Sequence, residues 1–489
     1  MSNAYNLKGG KYWQSMASLC VVLLLLSVPL VARAVGLPSL SNLAGNDFDI
    51  SAEVKMLDSG QVVAQQQPRA MLTPASLSKL YVAGAALDRY GPQHRFTTSL
   101  YSSGQVRGNT LHGDLIVDGG GDPAMTTERY WTLVQQLRAQ GIQRVTGRVV
   151  LSQWPFGPTP CVVTDRCQAR ATSSHSYDAL LSPVAVDYAA WCTQVIPGVP
   201  GSPARVAGCF SATPLLPVTN KVKTVGDSQP TQLSARRTTS GGKDTLTITG
   251  QISTSSGPTS VYRSASDPAQ ETMTTLRQLF QQSGVSVAEG FTVSNTVTPR
   301  NASLLASVQS QPLQMALMDM LNYSNNFMAD MLTVDLSAAT PASLASGTAA
   351  LKRFVDKVPG HGPLTLGSGS GLTPESHTSA RGLTALMDYM YHQPQLFPTF
   401  SAGMQTPSNG VARHIRHGSR DFQNSVMVKT GTLNDPVPVR AIAGYFRGKS
   451  GRWGTFAVLV QGRAATPYLT WSKVMEAVAD DMDTIIAHN

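Results

Sequence analysis

At 489 residues, 42% of them hydrophobic and 14% charged, the chain exceeds what one hydrophobic core accommodates, so two or more domains are expected. The composition excludes a low-complexity or fibrous protein, and no block of like charge is long enough to form a tail. A net charge of +9 permits weak attraction to anionic polymers such as nucleic acid or cell wall, but Lys and Arg nowhere cluster with aromatic residues, so no nucleic-acid partner is expected.

Lys8 and Lys11 precede an apolar run from about Ala17 to Val31 that closes with Ala32-Arg33-Ala34. A positive start, an apolar stretch and a small-x-small site describe a secretory signal peptide over residues 1–34, hence an exported protein. The run is short for a membrane span and holds Pro29, so an uncleaved anchor is the weaker reading and at most peripheral membrane association is expected. With Cys20 inside the leader, Cys161, Cys167, Cys192 and Cys209 remain. In an oxidising compartment they suit two disulfides, most simply Cys161–Cys167 and Cys192–Cys209, although three connectivities exist. Neither pair has C-x-x-C spacing and no His stands beside them, so no metal is expected.

From Thr73 to Tyr90 a helix is expected, with Pro74 in its first turn and Gly91-Pro92 as its stop. Ser76 and Lys79 lie three apart and share a face. Strands follow at Phe96–Tyr101 and Thr110–Val117, then a helix from Thr127 to Gln140 and a strand from Val145 to Ser152. Residues 218–257 are rich in Ser and Thr, with Leu246, Ile248 and Ile252 alternating. Residues 91–300 therefore read as a mostly-β insertion. Gly119-Gly120-Gly121 lacks the Lys-Ser/Thr of a phosphate loop and reads as a turn. Helical patterning resumes over Pro312–Leu336, its methionines read as core filler. Ser425–Lys429, Ile442–Phe446 and Thr455–Gln461 alternate as strands, and Tyr468–His488 is a helix whose Val474, Val478, Met482 and Ile485 face the sheet.

Three strings carry chemistry: Ser76-Leu77-Ser78-Lys79, Ser324-Asn325-Asn326 and Lys429-Thr430-Gly431. In this order they form the S-x-x-K, S-x-N and K-T-G set of penicillin-recognising serine enzymes. A serine nucleophile needs an adjacent base. No G-x-S-x-G elbow is present; Gly367-Ser368-Gly369-Ser370-Gly371 reads as turn chemistry. Lys79 serves Ser76 as base if burial and a second cation, Lys429, lower its pKa. Asn326 and Ser324 are placed to hydrogen-bond that lysine and relay a proton to the leaving nitrogen. Lys429, Thr430 and Thr432 suit a substrate carboxylate. The backbone N–H of Thr432, with that of Ser76, would form an oxyanion hole, and Gly431 allows close approach of the substrate. Each string is weak alone: Ser240-Gly241-Gly242-Lys243 is a chance S-x-x-K, and Tyr323-Ser324-Asn325 also reads as the Y-x-N of a tyrosine-base β-lactamase. His414 and His417, without an acidic neighbour in sequence, read as surface residues and not metal ligands.

The surroundings of these strings resemble the D-alanyl-D-alanine carboxypeptidase/endopeptidase family of class C low-molecular-mass penicillin-binding proteins, peptidase family S13. The similar segments are Pro74-Ala75-Ser76-Leu77-Ser78-Lys79, Gly113-Asp114-Leu115 with Gly120-Gly121-Asp122-Pro123, Ser324 to Asp330, Gly369-Ser370-Gly371-Leu372 and Val428 to Leu433, followed by Ala443-Gly444-Tyr445. The resemblance spans nearly the whole mature chain and favours the Ser324/Asn326 register. It implies the α/β (α+β) fold shared by serine DD-peptidases and β-lactamases, an antiparallel sheet flanked by helices, with residues 35–90 and 301–489 forming the peptidase domain around the 91–300 insertion. It also implies Ser76 as nucleophile, Lys79 as base, Ser324 and Asn326 in the proton network, and Lys429, Thr430 and Thr432 on the substrate carboxylate. Cleavage of terminal D-Ala or of D-Ala–diaminopimelate cross-links in peptidoglycan, capture by β-lactams, a periplasmic home and no cofactor or metal follow from the same likeness. The family's acidic substrate contact in the insertion has its counterpart at Asp178, and its usual Asp before Gly-Ser-Gly-Leu is Ser368 here. A β-lactamase or esterase on the same fold, and a non-catalytic cell-wall binding or β-lactam-sensing module, are the alternative readings.

Overall fold

The computed structural model describes residues 36–489 apart from 46, 158–166, 168–174, 409, 464, 465 and 467. The expected leader, 1–34, lies outside the described residues. At the centre is a five-stranded antiparallel sheet in the order Val426–Leu433, Val439–Arg447, Trp453–Gly462, Phe48–Met56, Val62–Gln66. Its last two strands are additional to those expected from the sequence. They come from the N-terminal part of the chain, so one sheet joins both ends of the sequence.

Strand periodicity sends alternate side chains to opposite faces, and here both faces are covered. Ala441, Ala443 and Tyr445 join the core formed with the helix Ser78–Tyr90 and its neighbours. Ile442 and Phe446 join the opposite core with Val474, Val478 and Met482 of the terminal helix Trp471–His488. That helix also holds the N-terminus of the short helix Pro38–Ala44: the Asp481 carboxylate accepts from Ser39 N (3.0 Å) and Leu40 N (2.9 Å). Among the described residues no helix is long and apolar enough to cross a membrane.

Beyond Tyr90 the chain enters a region that holds, among the described residues, four further sheets of three to five strands and two long helices, Thr127–Ala139 and Pro268–Gln282. The second helix starts on the Asp267 side chain, which accepts from Ala269 N and Gln270 N, with Pro268 in the first turn. The strand Ser303–Gln309 pairs antiparallel with Thr97–Ser102. Phe96 and Ser310 meet at the base of this pair, Ser310 N donating to Phe96 O (2.7 Å). The chain thus leaves and re-enters the helical layer at one place. Cys192 and Cys209 are bonded across the hairpin of strands Ala190–Ile196 and Arg205–Gly208. Cys167 is an exposed free thiol, and Cys161, its expected partner, lies outside the described residues.

The helical stretch expected over Pro312–Leu336 is two helices, Leu313–Asn322 and Asn326–Asp335. Asn325 causes the break: its side chain accepts from Met328 N (3.0 Å) and starts the second helix. Ser324 takes φ +53° in the gap.

Candidate active site

The turn that carries Ser76 is strained and crowded from two sides. Ala75, at φ +46°, opens a single 3₁₀ turn, Ala75–Leu77, that leads into the helix Ser78–Tyr90. A Cβ on Gly431 would stand 2.6 Å from Pro74 O and 3.0 Å from Ser76 N. A Cβ on Gly371, itself at φ +80°, would overlap the Ala75 carbonyl. Both glycines are therefore required by the approach of their segments to the serine.

Lys79, 0% exposed, points back along the helix, and three acceptors meet its amine: Ser76 Oγ at 2.9 Å, Asn326 Oδ1 at 2.7 Å and Ser370 O at 2.7 Å. Lys429, 1% exposed, donates to Ser324 Oγ (2.9 Å) and Thr430 O (2.7 Å). Burial pulls its pKa from 10.5 down to about 7. The S-x-N string thus serves both amines, Ser324 on Lys429 and Asn326 on Lys79. Tyr323, the tyrosine of the alternative register, is 67% exposed.

These groups surround a cleft of about 800 Å³ lined by Ser76, Ser324, Asn326, Lys429, Thr430 and Thr432. The part of the chain between the helices Ser78–Tyr90 and Leu313–Asn322 closes one side. Its Phe156, Ala179 and Leu181 pack against Phe327, Met331 and Val334 of the helix Asn326–Asp335. Asn326 Nδ2 donates to Tyr177 O (3.1 Å), and the buried Asp178 joins the cleft lining. The structure therefore brings Ser76, Lys79, Asp178, Ser324, Asn326, Lys429, Thr430, Gly431 and Thr432 into one region: Lys79 lies behind Ser76, and Gly431 lies under the turn that carries it.

Two parts of the site escape the sequence reading. The Gly367–Gly371 segment is more than a turn: Ser370 accepts from Lys79 through its carbonyl, while its N–H donates to Asp330 Oδ1 (2.8 Å). Within it Ser368, 1% exposed, accepts from Thr373 Oγ1 (2.9 Å) and Ser370 Oγ (3.3 Å). His414 is not the surface residue expected. It is half-buried in the cleft wall, 3.2 Å through Nε2 from Thr430 Oγ1, and stacked on Trp471 with ring centroids 4.4 Å apart. Burial, with Lys429, Arg440 and His417 adding repulsion, pushes its pKa down to about 4. Its partners are 16 residues or more away in sequence, so no local spacing marks it. Trp471 in turn donates its indole N–H to Thr432 Oγ1 (3.0 Å).

Comparison with known proteins finds relatives over most of the chain. A D-alanyl-D-alanine carboxypeptidase from Actinomadura sp. is 25% identical over 424 residues, 83% of this chain and 76% of the relative. The D-alanyl-D-alanine carboxypeptidase DacB of Haemophilus influenzae is 23% identical over 88% of this chain and 91% of its own length. The fold is that of penicillin-binding protein 4 (dacB) from Haemophilus influenzae, a structure also solved in complex with a β-lactam: TM-score 0.74, 19% identity, 91% of this chain and 99% of that one. The sequence profile of the D-Ala-D-Ala carboxypeptidase 3 (S13) family matches residues 42–484, and the chain belongs to that family.

Proposed function

We propose that the protein is a serine D-Ala-D-Ala carboxypeptidase and DD-endopeptidase that acts on peptidoglycan stem peptides and cross-links through an acyl-enzyme, and that β-lactams acylate the same serine. The observation that carries this reading is the buried Lys79 amine 2.9 Å from Ser76 Oγ. Ser76 Oγ attacks the carbonyl of the penultimate D-Ala while its proton passes to the Lys79 amine acting as base. The oxyanion is held by the backbone N–H groups of Ser76 and Thr432, a reading supported by the close packing of Gly431, the neighbour of Thr432, on the turn that carries Ser76. The proton taken up by Lys79 passes through the Ser324 hydroxyl, itself hydrogen-bonded to Lys429, to the leaving amine, which frees Lys79 to act again. Water then releases the acyl group, with Lys79 again as base. Lys429, Thr430 and Thr432 bind the terminal carboxylate, and Asp178, in the cleft lining, is an acidic contact to the substrate. The chain is exported, to the periplasm, and residues 91–300 are an insertion that supplies one wall of the cleft. Product analysis by mass spectrometry of pentapeptide and cross-linked muropeptides, wild type against Ser76→Ala, tests the assignment. Loss of terminal D-Ala and cleavage of cross-links by the wild type alone is expected; identical products from both proteins would refute it.

A further inference from the structure

We infer that His414 and Trp471 are a pair of positioning residues that aim the hydroxyls of Thr430 and Thr432 at the terminal carboxylate of the substrate; the inference rests on the function proposed above and assigns roles to two side chains outside its three motifs. A threonine hydroxyl has one proton and two lone pairs and rotates freely unless a neighbour fixes it. An indole N–H is a donor only. The 3.0 Å contact from Trp471 Nε1 therefore occupies a lone pair of Thr432 Oγ1, and the Thr432 proton must point elsewhere. Thr432 is exposed in the cleft wall, so that proton is directed where the carboxylate binds.

His414 does the same for Thr430 in one of its two neutral tautomers. With the proton on Nε2, the ring donates across the 3.2 Å contact and the Thr430 hydroxyl donates into the cleft. With the proton on Nδ1, the ring consumes the Thr430 proton and a lone pair faces the anion. The inference therefore assigns the Nε2–H tautomer. The neutral state is maintained by burial and by Lys429. The two rings are stacked at 4.4 Å with planes 26° apart, so each holds the other's orientation. They come from separate segments, the turn Arg413–Ile415 and the first residue of the terminal helix, yet meet successive outward-facing residues of one strand.

Anion recognition falls to these hydroxyls and Lys429, because the guanidinium opposite Thr432 is engaged elsewhere. Arg440, paired with Thr432 across the sheet, is 1% exposed. Its Nη1 donates to Leu433 O and Val439 O, and its Nη2 to Asn434 Oδ1.

The test compares wild type with Trp471→Phe, which keeps a stacking ring without the N–H, and His414→Phe. Each is assayed on a peptide ending in D-Ala-D-Ala and against two peptidyl boronic acids, alike except that one carries the terminal carboxylate. A lost charge-assisted hydrogen bond predicts a KM raised roughly tenfold in each variant with kcat within about twofold, and an equal weakening of the carboxylate-bearing boronate only. Nitrogen NMR of His414 should report the Nε2–H tautomer. Equal weakening of both boronates, unchanged KM in both variants, or the Nδ1–H tautomer would overturn the inference while leaving the enzyme's function standing. A wild type that neither hydrolyses the peptide nor binds either boronate would overturn both.

Discussion

Replacing Lys429 by Met should make the protein more stable and inactive, with a stability gain that disappears at alkaline pH. The amine is 1% exposed, and burial lowers its pKa from 10.5 to about 7. In the unfolded chain the ordinary value returns, so between about pH 7 and 10.5 the unfolded state binds more protons, and stability rises with pH. The distance from 10.5 to about 7, at about 1.4 kcal/mol per pH unit, is roughly 5 kcal/mol in full, of which about 4 kcal/mol still opposes folding at pH 7. Methionine removes that opposition, but it leaves Ser324 Oγ and Thr430 O without the donor they have in the wild type, at a cost of about 1–3 kcal/mol. The net gain at pH 7 is about 2 kcal/mol. Denaturant unfolding of both proteins at pH 7 and pH 9 measures it. Between those values the wild type should gain about 2 kcal/mol more than Lys429→Met, because every other titrating group is common to both. Parallel pH dependences, or a variant less stable at pH 7, would refute the reasoning that the second amine is held against its desolvation for function's sake.

Gly431→Ala should lower acylation at least tenfold, because its Cβ meets Pro74 O at 2.6 Å and Ser76 N at 3.0 Å and the nucleophile turn must shift; the rate of labelling by a fluorescent penicillin reads it. Asp330→Ala removes the acceptor of Ser370 N and should lower stability by about 1–3 kcal/mol, while slowing labelling through the displaced Ser370 carbonyl at Lys79; normal labelling would show that Asp330 does not hold this segment. Reduction of Cys192–Cys209, 17 residues apart, should lower the stability of the sheets around the hairpin by about 3 kcal/mol, visible as a lower unfolding midpoint with reductant; an unchanged midpoint in the Cys192→Ser/Cys209→Ser protein would contradict this.

Much of the site was legible because its chemistry sits in three short strings, each on a local scaffold that sequence also reports: a helix start with Pro74, a strand with alternating apolar residues around Lys429. What was not legible depends on tertiary packing. His414 reads as a polar residue in a loop, and only the return of the terminal helix places Trp471 beneath it. Ser370 contributes a backbone carbonyl, a group that every residue has and no motif reports. The break at Ser324 had a local signal in Asn325, a good N-cap residue, but the continuing apolar pattern on both sides hid it. The strand Phe48–Met56 alternates polar and apolar residues as a half-exposed strand would, yet the middle of its polar face, Ser51 and Glu53, is buried. Glu53 there accepts from Arg381 Nε (3.0 Å) and Thr384 Oγ1 (2.6 Å), and Ser51 Oγ accepts from Ala380 N (3.0 Å). Alternation shows that a strand has two kinds of face; only the fold shows what covers each.

The central claim is that Ser76, with Lys79 as its base, is the group that becomes acylated. Intact-protein mass spectrometry after exposure to benzylpenicillin, followed by peptide mapping, tests it most directly. One penicilloyl group per chain on the peptide that holds Ser76, absent from Ser76→Ala and formed far more slowly by Lys79→Met, is the expected result. No adduct on the folded wild type, or an adduct on another residue, would contradict the account.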